Sequence, residues 1–141
     1  MSMTPTIVAL DVGERRIGVA LANMEARMAS PLMTLDRQEY SDIYARIKQL
    51  ITEHNVQTVV VGLPRGMQGQ ETQQTASTRE FARELEDLCN VTVQFQDEAG
   101  TSLLAKEELN TLKKNYDKGD VDKLAATYIL RDWLQNAEVV R

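Results

Sequence analysis

Three carboxylates in this chain sit where an α/β sheet gathers its chemistry: Asp11, Glu98 and Asp122. Asp11 ends an apolar run in "IVALDVGERRIGVALAN", residues 7–23. Aspartate is depleted in strands because it suits a pleated, half-buried surface poorly. Glu98 closes "VTVQFQDE", residues 91–98, an alternating segment that reads as a strand. Asp122 falls on the flank of an apolar helical stripe, near Ala125 and Ile129. Singly, each has a plain structural reading: a turn cap, a solvated strand end, a favourable charge near a helix N-terminus. Jointly they lie on one rim, and clustered carboxylates repel unless a cation offsets them. A set of oxygen donors alone favours Mg²⁺ or Mn²⁺. Such ions activate water and clamp a phosphodiester in line.

A nucleic-acid substrate would need local positive charge, because the chain carries a formal net charge of −5. Arg15 and Arg16 follow Asp11 in the first turn, and Arg65 follows "VVVGLP". Lys113, Lys114 and Lys118 lead into the last helix. A single His54 and a single Cys89 leave no zinc site and no internal disulfide. No apolar run approaches the roughly 20 residues of a membrane helix. The N-terminus has no basic region leading into an apolar stretch, so a cytoplasmic protein with no membrane partner is expected. At 141 residues the chain fits one domain, 1–141.

The elements that must position these acids follow from periodicity. "TIVALDV", "IGVALA" and "SPLMTL" read as a meander of three strands. In the second, Gly18, Ala20 and Ala22 form a face of very small residues against which something must pack closely. Residues 40–54 carry apolar residues at helical spacing, and "VQTVVVGLP", 56–64, reads as a buried parallel strand. Residues 71–89 read as a helix with Ala82, Leu85, Leu88 and Cys89 inward. In the strand 91–98, Val91, Val93 and Phe95 are expected to face in, and Thr92, Gln94 and Gln96 out. Residues 101–114 and 121–135 read as helices, the second with Asp120 as its N-cap. "GMQGQE", 66–71, is a glycine-bearing connector near the rim. The order βββαβαβαα predicts a mixed sheet flanked by helices. Ligands in such sheets gather beyond the C-terminal ends of the parallel strands.

Five ordered motifs, "ALDVGERRIGVAL", "SPLMTLDR", "VVVGLPRGMQGQET", "QDEAGTS" and "VDKLAATYIL", resemble the YqgF/RuvX family over nearly the whole chain. The resemblance implies a ribonuclease H-like α/β fold with a five-stranded mixed sheet of order 3-2-1-4-5. It also implies a metal-dependent carboxylate site, carried here by Asp11, Glu98 and Asp122, with Asp11 as the bridging ligand. In that order the first and fifth strands lie about 10 Å apart. Their acids would meet over Gly62, which has no side chain to block them. This chain departs from the family pattern at Ala99, where most members have arginine, and at Ala22-Asn23, where "SD" is usual. The function implied is a metal-dependent endonuclease on structured nucleic acid, foremost the 16S rRNA precursor. A resolvase of branched DNA is the alternative, as is a noncatalytic binding module of the same fold. Paired cuts in a junction call for a two-fold homodimer, whereas rRNA trimming is open to a monomer. "DVGERRIGVAL" also resembles the phosphate-binding hairpin of actin-like proteins, but those need two lobes and this chain is too short for both.

Overall fold

The computed structural model describes residues 4–98, 101–112 and 115–139. Strands β1 (Thr6–Val12), β2 (Arg16–Asn23) and β3 (Ala29–Asp36) form the opening meander. Helix α1 (Ile43–Glu53), strand β4 (Val56–Pro64), helix α2 (Gln73–Cys89) and strand β5 (Thr92–Glu98) follow. Helices α3 (Thr101–Thr111) and α4 (Lys118–Val139) complete the chain. The five strands make one sheet of order β3-β2-β1-β4-β5. β1 runs antiparallel to β2 and parallel to β4, and β4 runs parallel to β5. The C-terminal ends of β1, β4 and β5 therefore share one rim, the rim expected to carry the acids.

Alternation along β1 divides its side chains between two cores. Val8 and Leu10 face α1 and α2, packing with Val59, Val61, Ile47, Leu50, Phe81 and Leu85. Ile7 and Ala9 face α4, with Ala20, Ala22, Val60, Ala126, Ile129 and Leu130. The small face of β2 thus meets α4. A Cβ on Gly18 would stand 2.0 Å from the backbone oxygen of Asp122 and 3.0 Å from the Lys123 nitrogen. Glycine is required there by the approach of one backbone to another.

Several elements differ from their sequence-based expectations. Asp42 caps α1, accepting from the N–H groups of Tyr44 and Ala45, so Tyr40 precedes the helix and still packs on the core. Thr72 caps α2 and exchanges hydrogen bonds with Thr75 in a capping box. Asp120 is not the N-cap of α4. It lies in the first turn, accepting from the Asp117 N–H at 3.1 Å while Asp117 accepts from the Asp120 N–H at 2.9 Å. Asp117 is the cap, and the helix begins at Lys118. Leu88 does not face the core but is 55 % exposed, because the apolar stripe of α2 is completed by Phe81, Ala82, Leu85 and Cys89. Phe95 is 37 % exposed on an edge strand, with the Arg79 guanidinium 5.4 Å from its ring centroid. The other face of β5 does not simply meet water: Trp133 Nε1 donates to Gln94 at 3.2 Å and Asn136 Nδ2 to Gln96 at 3.1 Å. Helix α4 thus reaches from β2 across to β5.

Candidate active site

Asp11 is the last residue of β1 on the face toward α4, opposite Gly18 in the antiparallel register. Glycine at 18 removes the side chain that would otherwise separate Asp11 from the N-terminal part of α4, where Asp122 sits. Thr34 on β3 pins that turn by donating from Oγ1 to the Gly119 carbonyl at 2.6 Å. Glu98 ends β5 in register with Pro64 of β4. Its carboxylate reaches back over β4: a Cβ on Gly62 would lie 3.2 Å from Glu98 Oε2 and 2.5 Å from Ile129 Cδ1. The bare glycine in the intervening strand is what allows the two acids to meet.

Asp11 and Glu98 do meet, and their carboxyls hydrogen bond. Burial, followed by the charges of Glu98 and Asp122, pushes the Asp11 carboxyl from 3.8 up to about 8. That shift favours the protonated form of Asp11 at neutral pH. Asp122 lies close enough to act on Asp11 electrostatically, but its own carboxylate is turned to Arg16. Nε of Arg16 stands 2.6 Å from Asp122 Oδ2, with both side chains partly buried. Among the described residues no three acids, histidines or cysteines come close enough together to hold a metal ion. The structure thus brings two of the three expected acids into direct contact and sets the third beside them in an ion pair. A half-buried, oxygen-only pair crowded by mutual repulsion fits a hard divalent cation, which would replace the Asp11 proton.

The basic residues are less free than their sequence positions suggest. Arg16 is occupied by Asp122, and Arg15 reaches Asp36 at 3.4 Å while remaining largely exposed. Arg65 bridges Asp97 at 3.4 Å and Glu71 at 3.7 Å. Lys113, Lys114 and Ala99 lie outside the described residues.

Three positioning residues escape a reading by composition. Arg37 Nη1 donates to the Gly13 carbonyl at 2.9 Å and its guanidinium stacks over Phe81, fixing the turn after Asp11. Buried Thr75 donates to the Pro64 carbonyl at 2.5 Å and anchors the exit of β4. Asn23, at a family departure, caps the β2–β3 turn by accepting from Glu25 N–H at 2.7 Å and Ala26 N–H at 3.2 Å. Of these, only the Thr72-x-x-Thr75 spacing carried a recognisable signal, that of a capping box. A cavity of about 700 Å³ opens on the opposite face of the sheet, between the Val12–Glu14 turn and Arg37, Ser77 and Phe81. None of the three acids lines it.

Known proteins share this arrangement of strands. The chain superposes on *Thermus thermophilus* RuvC, solved in complex with a Holliday junction substrate, with a TM-score of 0.59 at 17% identity over 99% of this chain and 98% of that one. A fowlpox virus Holliday junction resolvase gives a TM-score of 0.53 at 13% identity, over 96% and 99%. The fold is that of the ribonuclease H-like resolvases. In sequence, a Chloroflexus aggregans protein named "Putative pre-16S rRNA nuclease" is 42% identical over 131 residues, 92% of each chain. A *Synechocystis* protein of the same name is 38% identical over 136 residues, covering 95% of this chain and 90% of its own. The family model described as RuvX, Holliday junction resolvase, matches residues 5–136, so the chain belongs to the RuvX (YqgF) family.

Proposed function

We propose that this protein is a divalent-metal-dependent endonuclease that cleaves structured RNA at the ends of the 16S rRNA precursor. The observation that carries this reading is the half-buried Asp11–Glu98 carboxyl pair at the C-terminal ends of two strands of the parallel part of the sheet. The names of the relatives supply the substrate class. Asp11 and Glu98 would hold Mg²⁺ or Mn²⁺, with Asp122 beside them. Bound there, the ion supplies Lewis acidity toward a phosphodiester. To hold the ion, Asp11 would have to give up the proton that its surroundings favour, leaving its carboxylate as an oxygen donor. Arg16 keeps the Asp122 carboxylate aligned and charge-balanced at the edge of the site. Arg15 and Arg65 stand on the flanking turns, where phosphate oxygens could replace their present carboxylate partners.

The test is cleavage of precursor rRNA, a four-way DNA junction and single-stranded oligonucleotides by purified protein, with and without Mn²⁺. Preferred, metal-dependent cutting of the RNA is expected. Asp11→Asn should lower that rate by about a thousandfold or more, the scale of losing a group that stabilises only the transition state. One observation favours a second reading, a noncatalytic binding module: Asp122 is already neutralised by Arg16. Binding of the same RNA with no cleavage in either metal would select it.

A further inference from the structure

The three acids stand in unequal states. Asp11 and Glu98 hydrogen bond to one another, whereas Asp122 is held by a residue of opposite charge. Nε of Arg16 donates to Asp122 Oδ2 at 2.6 Å, with the two side chains 31% and 18% exposed. The backbone on both sides of this ion pair is fixed. Arg16 opens β2, and the Asp122 carbonyl lies against Gly18 of the same strand. Thr34 ties Gly119, just before Asp122 in α4, to β3. What stays free to move is the Asp122 side chain, whose charge is already felt at Asp11. With the backbone held, only rotation of that side chain can exchange Arg16 for the Asp11–Glu98 pair.

What could take Arg16 from Asp122? The carboxylate across from Arg16 in the β2–β3 register, Asp36, is already occupied. It accepts from the Gln38 N–H at 3.0 Å and from Arg15 at 3.4 Å. A backbone phosphate is a stronger competitor. The bond to Asp122 runs through Nε, whereas a guanidinium grips phosphate in bidentate fashion. We propose that Arg16 is a substrate-sensing latch, which holds Asp122 away from the Asp11–Glu98 pair until a phosphate of the nucleic acid takes its guanidinium. The released Asp122 then turns to the pair as a further oxygen donor for the divalent ion. This rests on the nuclease reading of that pair. It accounts for the absence, among the described residues, of a set of three groups ready to hold a metal. By linkage, nucleic acid and metal each strengthen the binding of the other.

The experiment presents each ligand alone to the full chain, so that nothing is cut. Mn²⁺ binding is read by electron paramagnetic resonance without nucleic acid, and an RNA hairpin is titrated in EDTA by fluorescence anisotropy. The variants are Arg16→Gln, Asp122→Asn and the two combined. Arg16→Gln should tighten Mn²⁺ binding by about tenfold, the scale of coupling between two sites. That gain should vanish on the Asp122→Asn background, because Asp122 carries it. Asp122→Asn should tighten RNA binding by a similar factor, and that gain should vanish on the Arg16→Gln background. Gains that persist in the double variant come from charge removal alone and overturn the latch. Unchanged or weaker Mn²⁺ binding in Arg16→Gln overturns it too, leaving Arg16 as a support for Asp122. Should Arg16→Gln fail to fold, Arg16→Lys keeps the cation and loses the planar head. It should show a smaller Mn²⁺ gain, and no gain there overturns the latch. In all these outcomes the parent binds both ligands and the nuclease reading stands. A parent that binds neither Mn²⁺ nor RNA ends both.

Discussion

The two faces of the sheet are packed on different principles. Toward α1 and α2, large side chains interlock: Leu10, Ile47, Leu50, Phe81 and Leu85 fill the space between layers. Toward α4, the sheet presents Ala9, Gly18, Ala20, Ala22 and Gly62, and the helix lies almost on the strands. The first face contributes stability through its large apolar core. The second uses small residues to draw backbones together, and the carboxylates sit at its margin. Close approach of backbones, more than side-chain packing, is what delivers Asp122 and Glu98 to Asp11.

The largest effect should come from filling that closest approach. Gly18→Ala puts a methyl 2.0 Å from a backbone oxygen that cannot swing aside. About 3 kcal/mol or more of stability should be lost, read by urea unfolding. On the other face, Leu85→Ala should cost a similar amount, about 2–4 kcal/mol, through a cavity. The two variants separate in a second measurement. Gly18→Ala should shift the titration of Asp11 by displacing Asp122, and Leu85→Ala should leave it unchanged. Equal titrations in both would break the distinction between the faces.

Next comes pH. The folded state raises Asp11 from 3.8 to about 8, so it binds a proton that the unfolded chain releases. That contribution is complete below about pH 4 and is lost as pH rises through about 8. Metal-free protein should therefore lose about 1–3 kcal/mol across this window, the scale of relieved repulsion between partly buried carboxyls. Asp36, which the Gln38 N–H holds below its usual 3.8, acts in the opposite sense and only below the window. Asp11→Asn should flatten the slope and be the more stable protein at pH 8 in EDTA. Mg²⁺ should then stabilise the parent more than the variant. Thermal melts at three pH values decide it, and a less stable, metal-indifferent variant would make Asp11 a turn cap.

The smallest effect should be at Gly62. A methyl there meets the tip of Ile129 at 2.5 Å, a group able to turn away, and Glu98 at 3.2 Å. Gly62→Ala should cost about 1 kcal/mol. Adding Ile129→Val should recover part of the stability without restoring the Asp11–Glu98 contact, so metal affinity should stay low. Recovery of both would mean that Gly62 matters only for packing.

Much of this was legible in the residues themselves. The strands announced themselves by β-branched runs, and the Gly18, Ala20, Ala22 face by its size. The exact strand order came from the family resemblance, since periodicity fixes faces and not neighbours. Other features were hidden because they depend on partners distant in the chain. Arg16 reads as free until Asp122 arrives beside it. Phe95 reads as core until β5 is known to be an edge. Asp117 and Asp120 are both good caps by type, and only the reciprocal bonds assign them. Thr75 and Arg37 look like surface residues because their roles lie in backbone carbonyls that no pattern marks.

Helix α4 has a consequence for the order in which the molecule becomes competent. It follows all five strands in sequence, yet it contacts every one of them. Its anchors span long stretches of sequence: Asp122 to Arg16, Gly119 to Thr34, Asn136 to Gln96. A chain still being synthesised can pair β1 with β4 and β4 with β5, and so bring Asp11 to Glu98. It cannot place the third acid until α4 has been made and has docked. The site therefore closes only after the sheet is complete, and a chain cut before α4 is left without Asp122.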